Sequence, residues 1–259
     1  MKNDFLRPSQ AQLKKWAGLN DTAARRGEGI FPAEGVKVVA EMFRAAWPVN
    51  ALLVLPDKIK YWEKAIAAKP DDVPVYQLSE AQWKKVSQDK EPEGIMALAS
   101  LPPQLSWAEA IKKGSGNALL IYEVNNPANL GALLRSAHWF GFTNIVLSTK
   151  SVDCTNPKTI RASMGSIFYL TISGNIDLMA ALPEIKKTYF VIGSTARQGV
   201  VPRSTGKRTA LLLGSESHGL PEKMLAFADE QWTIPGNDRA DSLSLPQAAA
   251  ILMYECTKK

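Results

Sequence analysis

From about residue 117 onward, short and continuously apolar segments alternate with segments of helical periodicity, and this alternation constrains the fold more than any other feature. A strand that is apolar along its whole length has both faces covered, which places helices on the two sides of a parallel sheet. Residues 118–124, 143–148, 168–172, 189–193, 209–214 and 231–234 read as the strands. Residues 129–141, 156–165, 177–186, 221–227 and 245–257 read as the helices between and after them. In such sheets ligands bind beyond the carboxyl ends of the strands, so those ends are where chemistry is expected.

The preceding residues read as a separate, smaller α/β domain. Helices are predicted over 11–19, 31–44 and 59–68, and strands over 49–55, 73–78 and 95–101. Ser79 and Gln82 stand at capping-box spacing before a further helix. Pro102-Pro103 and the glycines Gly114 and Gly116 interrupt both periodicities. The expected division is therefore a first domain over 1–104, a connection over 105–116 and a second domain over 117–259.

Composition excludes several classes. With 46% apolar and 22% charged residues in 259, the chain is neither disordered nor fibrous. No apolar run approaches the roughly 18 residues of a membrane helix, and the start lacks the apolar stretch of a leader. Cys154 and Cys256 form no disulfide framework and have no partner at metal-ligand spacing. A cytoplasmic protein without a metal is expected. The net charge of +6 is compatible with a polyanionic partner, but it is spread evenly. Residues 1–113 carry 17 bases and 14 acids, and residues 114–259 carry 14 and 11, so each part is at +3.

Four clusters lie at expected strand ends. The first runs from Asn126-Pro-Ala-Asn129 through Gly131 and Arg135 to Phe140-Gly141. At 100° per residue, Leu130, Leu133, Leu134, Ala137 and Phe140 form a core stripe and Arg135 falls on the opposite side. An arginine there is ordinarily just solvated. Gly131 one turn earlier, however, costs the helix about 1 kcal/mol against alanine, which suggests a close approach. Asn129 also fits a helix N-cap. The second cluster is Leu213-Gly214-Ser215-Glu216-Ser217-His218-Gly219-Leu220-Pro221. It has neither the Gly-x-Ser-x-Gly spacing of a nucleophile elbow nor a phosphate-loop pattern. Ser217 beside His218 raises a hydrolase reading, but neighbours in sequence rarely form a triad.

The third cluster runs from Ile234-Pro235 through Asp241-Ser242-Leu243-Ser244 to Pro246-Gln247. Ser244 and Gln247 are at capping-box spacing, so an ordinary helix start is the simple reading. The fourth follows Gly193-Ser194-Thr195 and carries Arg197, Arg203, Lys207 and Arg208 without an acid.

Together these segments resemble the three signature motifs of the SpoU (TrmH-type) branch of the SPOUT RNA methyltransferases. The resemblance spans roughly 118–257 and includes the stretch Lys158-Thr-Ile-Arg161-Ala-Ser163-Met-Gly165-Ser166. More loosely, residues 1–100, with Phe31-Pro-Ala-Glu34-Gly35, resemble the family's ribosomal-protein-like RNA-substrate-binding domain. The resemblance implies a SPOUT α/β-knot, a parallel sheet with a trefoil knot that holds S-adenosylmethionine. It implies a cofactor pocket of Ser194, Thr195, Gly214, Ser215, Glu216, Gly219, Ile234, Ser242 and Leu243. It further implies a homodimer in which Asn129 and Arg135 lie near the partner's cofactor.

The implied reaction is 2′-O-methylation of a ribose in structured RNA, with ribosomal RNA favoured over transfer RNA. Arg135, Asn129, Glu216, Ser242 and Ser244 are the implied catalytic residues, and Arg135, Arg197, Arg203, Lys207 and Arg208 the expected RNA contacts. A guanidinium stays protonated at neutral pH, so as a base it needs help, whereas orienting a phosphate or stabilising an alkoxide suits it. One departure stands out. The family usually has asparagine where Ser244 stands, and serine loses the amide donor. A fold member that binds RNA without catalysis is therefore the alternative, with a transfer-RNA methyltransferase as another.

Overall fold

The computed structural model describes residues 5–103, 106–113, 116–237 and 243–258. They form two compact units. One comprises the residues up to Pro102 together with Thr155–Phe168; the other comprises Pro103–Cys154 and the residues from Tyr169 onward.

In the first unit the chain runs α1 (Gln10–Gly18), α2 (Thr22–Glu28), β1 (Ile30–Glu34), α3 (Val36–Arg44), β2 (Val49–Val54), α4 (Glu63–Ala67), β3 (Val75–Gln77), α5 (Glu80–Val86) and β4 (Ile95–Ser100). The strands form one sheet in the order β1-β4-β2-β3, with β4 antiparallel to both neighbours and β2 parallel to β3. Leu13, Trp16, Leu53, Trp83 and Leu98 are among the residues packed on one another in its core. Ser79 and Gln82 form the expected capping box, and Ser9 with Gln12 forms a second.

Two predicted elements differ. Residues 31–44 are not one helix: β1 precedes α3, and Gly35 at φ +111° turns the chain between them. Pro32 argues against a strand in sequence, yet β1 is an edge strand, where a missing N–H is tolerated. Residues 59–68 keep only the short α4, preceded by a 3-10 turn at Pro56–Lys58.

The second unit begins with α6 (Trp107–Lys113), so the predicted connection contains a helix, and Ile111 of that helix enters the core. Then follow β5 (Asn117–Ile121), α7 (Pro127–Trp139) and β6 (Phe142–Ser148). The chain next contributes α8 (Pro157–Ser163) to the first unit. It continues with β7 (Thr171–Ile176), α9 (Leu178–Lys186), β8 (Phe190–Ser194), β9 (Thr209–Leu213), α10 (Glu222–Leu225), β10 (Glu230–Trp232) and α11 (Leu245–Thr257). The predicted strand at 168–172 is displaced: 166–169 make a 3-10 turn and β7 starts at Thr171.

The expected parallel sheet is present with six strands in the order β10-β8-β9-β5-β6-β7, every neighbouring pair parallel. β9 is buried at all five positions, and β5 at the last four of five, which is why they read as continuous apolar runs. Ala118, Leu120, Val146, Ala210 and Leu212 pack beneath α9 residues Leu178, Leu182 and Ile185. Among the described residues no helix is long and apolar enough to cross a membrane.

Within the first unit, Arg161 of α8 pairs with Glu34 at 3.2 Å and Asp89 at 2.7 Å. Glu34 is 7% exposed and also accepts hydrogen bonds from Ser87 Oγ and Trp83 Nε1. Burial raises its carboxyl above the usual carboxylate range, although the Ser87 hydroxyl and Arg161 oppose the rise. Folded Glu34 thus keeps its proton to a higher pH than the unfolded chain does, and its contribution to stability falls as pH rises through that window. Replacing Glu34 by Gln removes this component. In urea titrations between about pH 4.5 and 7, the wild type should lose more stability with rising pH than Glu34→Gln. Parallel pH profiles would contradict this.

Candidate active site

The strand order contains one reversal. The chain leaves β5 toward β6 on one side and leaves β9 toward β10 on the other, while β5 and β9 lie side by side. A crevice opens at the carboxyl edge where neighbouring strands send their connections in opposite directions. The four sequence clusters follow β5, β9, β8 and β10, four adjacent strands, so all of them start from this one edge.

The first cluster forms the start of α7. The cap is Asn126, not Asn129: the Asn126 side chain accepts from the N–H groups of Ala128 at 2.9 Å and Asn129 at 3.4 Å, and Pro127 occupies the first turn. This frees the Asn129 side chain. Its Nδ2 donates to Glu216 Oε1 at 2.9 Å, joining the loop after β9 to the helix after β5 directly across the reversal. Residues 87 positions apart in sequence thus meet as a pair. Leu130, Leu133, Leu134 and Ala137 are buried as expected, while Arg135 is exposed on the other side and makes no ion pair among the described residues. Gly131 is buried.

The loop after β9 is a tight turn. Ser215 and Gly219 exchange backbone hydrogen bonds at 3.2 and 2.9 Å, and Gly219 sits at φ +65°. A Cβ on Gly214 would lie 2.3 Å from the Gly219 carbonyl carbon and 2.5 Å from Leu220 N, so only glycine fits there. Ser215 Oγ accepts from Ser217 N–H at 3.2 Å, and Glu216 to Gly219 are exposed. The side chains of Ser217 and His218 make no hydrogen bond to each other or to another described residue, so no serine–histidine relay is formed.

After β8, Thr195 N–H donates to the Trp232 carbonyl at 2.9 Å, tying this strand end to β10. Thr195 Oγ1 donates to the Arg197 carbonyl at 2.5 Å and accepts from the Arg197 N–H. Ser194, Thr195 and Ile234 are partly exposed at the edge. Ser242 lies outside the described residues. Leu243 is exposed, and Ser244 is the N-cap of α11. The predicted capping box is incomplete there: Ser244 Oγ donates to Gln247 Oε1 at 3.0 Å and does not cap the backbone.

The four cations of 197–208 divide. Arg203 makes a bidentate pair with Glu230 at 2.6 and 2.7 Å, and this hydrogen bonding, joined by Trp232 Nε1, holds the Glu230 carboxyl below its usual range. Arg208 donates to the Gly116 carbonyl at 3.1 Å and the Tyr189 hydroxyl at 2.7 Å, and stacks over the Tyr189 ring. Lys207 lies 4.1 Å over the Phe190 ring. Arg197 is exposed with no ion pair among the described residues. Among the described residues no group of three or more His, Cys, Asp or Glu could hold a metal ion.

Comparison with known proteins adds to this geometry. The sequence model of the SpoU rRNA methylase family matches residues 116–254, and that of an MRM3-like substrate binding domain matches residues 10–97. The 23S rRNA (guanosine(2553)-2′-O)-methyltransferase RlmP of Bacillus subtilis is 28% identical over 251 residues, 94% of each chain. A solved RNA 2′-O ribose methyltransferase is 27% identical with a TM-score of 0.79, covering 96% of this chain and 95% of that one. The SpoU methyltransferase AviRb of Streptomyces viridochromogenes, solved in complex with AdoMet, has the same fold, with a TM-score of 0.82 at 22% identity over 96% and 98% of the two chains.

The 214–219 turn is the most sterically demanding element of the edge. Gly214→Ala should destabilise the second unit by about 3 kcal/mol or more, because the obstructing atoms are backbone and cannot yield like a side chain. Thermal denaturation followed by circular dichroism checks this; an unchanged midpoint would show that the turn is not so constrained.

Proposed function

The chain belongs to the SpoU rRNA methylase family, and we propose that it transfers a methyl group from S-adenosylmethionine to a ribose 2′-hydroxyl of ribosomal RNA in the cytoplasm. The observation that carries this reading is the Asn129–Glu216 pair at the reversal, with Arg135 free on the exposed face of the same helix.

The edge fits such a cofactor. The exposed turn 216–219 offers peptide groups to its polar ends, and the partly exposed Ile234 and exposed Leu243 offer apolar surface to an adenine. Ser194, Thr195, Gly214, Ser215 and Ser242 complete the proposed pocket. When bound, the cofactor supplies an electrophilic methyl group. Glu216 accepts the Asn129 amide hydrogen bond and so sets the orientation of Asn129 at the start of α7. Arg135, two turns from the start, orients an RNA phosphate and stabilises negative charge developing on the ribose oxygen. A carboxylate acting alone would add negative charge beside that oxygen, so Glu216 suits positioning better than direct contact.

Of the loop cations, Arg197 is the one we assign to RNA with most reason, since Arg203, Lys207 and Arg208 are already engaged within the unit. The knot is part of the same reading, with the chain threaded about the 214–219 turn. So is a homodimer. Trp139 is 83% exposed and stands one turn after Arg135 on α7; Phe140 beside it packs edge-on against Tyr254 of α11, which with Ile251 is also exposed. Exposed apolar clusters of this kind mark association surfaces.

Two experiments test the reading. Incubation with tritiated S-adenosylmethionine and ribosomal RNA should label ribose, and Arg135→Ala should lower the rate by roughly 100-fold or more. Label on a base, or RNA binding without turnover at saturating cofactor, would overturn it. Trp139→Asp should convert a dimer to a monomer in light scattering, whereas an unchanged mass would remove α7 from the interface.

A further inference from the structure

A groove of about 550 Å³ lies in the first unit between α3 and α4, within the roughly 300–1,000 Å³ range of small-ligand sites. Its lining includes Ala40, Phe43 and Ala65 together with Tyr61 and Trp62. Tyr61 is 75% exposed, and the Trp62 ring is tilted by 54° against it at a centroid distance of 6.5 Å. The ammonium of Lys58 lies 5.6 Å from its centroid. The Trp62 ring is fixed in place, since its Nε1 donates to the Glu93 carbonyl at 2.7 Å. The same Glu93 accepts the Val36 N–H at 2.6 Å and so holds the start of α3, the other wall. One residue thus pre-positions both sides of the groove.

The charged side chains that line it are Arg44 and Lys64, both cationic, and no acid is among the lining residues. Arg44 pairs with Glu41, whereas Lys64 has no ion pair among the described residues. We propose that this groove binds unpaired nucleotides of the substrate RNA, with a base stacked on Tyr61, the tilted Trp62 ring flanking it, and the adjoining phosphate on Lys64. Aromatic faces combined with a cationic rim suit a single strand, because every base presents a π-face and every linkage a charge. The proposal rests on the RNA-modifying reading, and it assigns a binding place in the first unit in addition to the β5–β9 edge of the second.

The test is fluorescence anisotropy of a labelled single-stranded oligoribonucleotide on the full chain without cofactor. Tyr61→Ala should weaken binding roughly 5- to 100-fold, while Tyr61→Phe retains it. Lys64→Ala should reduce the slope of log affinity against log salt by about 0.7. A duplex of the same sequence should not depend on Tyr61. The proposal is overturned if Tyr61→Ala stays within twofold of wild type with an unchanged circular dichroism spectrum. It is also overturned if the wild type does not bind the strand, or if a polyglutamate peptide displaces it. Because binding is read without cofactor, this result stands or falls separately from methyl transfer.

Discussion

The side-by-side pairing of β5 and β9 is the constraint on which the rest of the second unit depends. These strands are buried over nearly their whole length and are 92 residues apart in the register Ala118 to Ala210, so their pairing closes a long loop of chain. Their connections leave in opposite directions, and the start of α7 and the 214–219 turn meet there through Asn129 and Glu216. A hydrogen bond between two half-open polar side chains, Asn129 and Glu216, contributes little to stability in itself. Its importance is geometric, since it fixes an amide and a carboxylate at the edge from which α7 starts.

Much of this was legible in the sequence, for identifiable reasons. Continuous apolar runs report strands buried on both faces, and β5, β6, β8 and β9 follow that pattern, whereas the edge strands β7 and β10 are only partly buried and β7 is displaced from its expected position. The edge strand β1 was hidden because Pro32 reads as a breaker and Val36, Val39 and Phe43 continue a helical period past Gly35. The helix α6 was hidden by the flanking prolines and glycines. Asn129 fitted a cap equally well by sequence; only the structure shows that Asn126 takes that task and leaves Asn129 free for Glu216. No local pattern joins residues 87 apart. Tyr61 was invisible for the opposite reason: in a helical segment an aromatic is normally core, and its exposure emerges only once α3 and α4 are placed.

The charge reading changes in a similar way. An evenly spread +6 says little about where a polyanion would lie. Once Arg203 is seen to be committed to Glu230 and Arg208 to Tyr189 and a backbone carbonyl, the cations left for a ligand are far fewer. Of the cations at the candidate site, Arg135 and Arg197 stay exposed without an ion pair among the described residues, and in the first unit Lys64 lies near the exposed Tyr61.

The most direct test of the central claim is a map of ribose methylation on ribosomal RNA, read as reverse-transcription stops at low nucleotide concentration. RNA from cells lacking the gene should lack one stop present in wild type, and the stop should return with the wild-type chain but not with Arg135→Ala. An identical stop pattern with and without the gene, or full restoration by Arg135→Ala, would contradict the account.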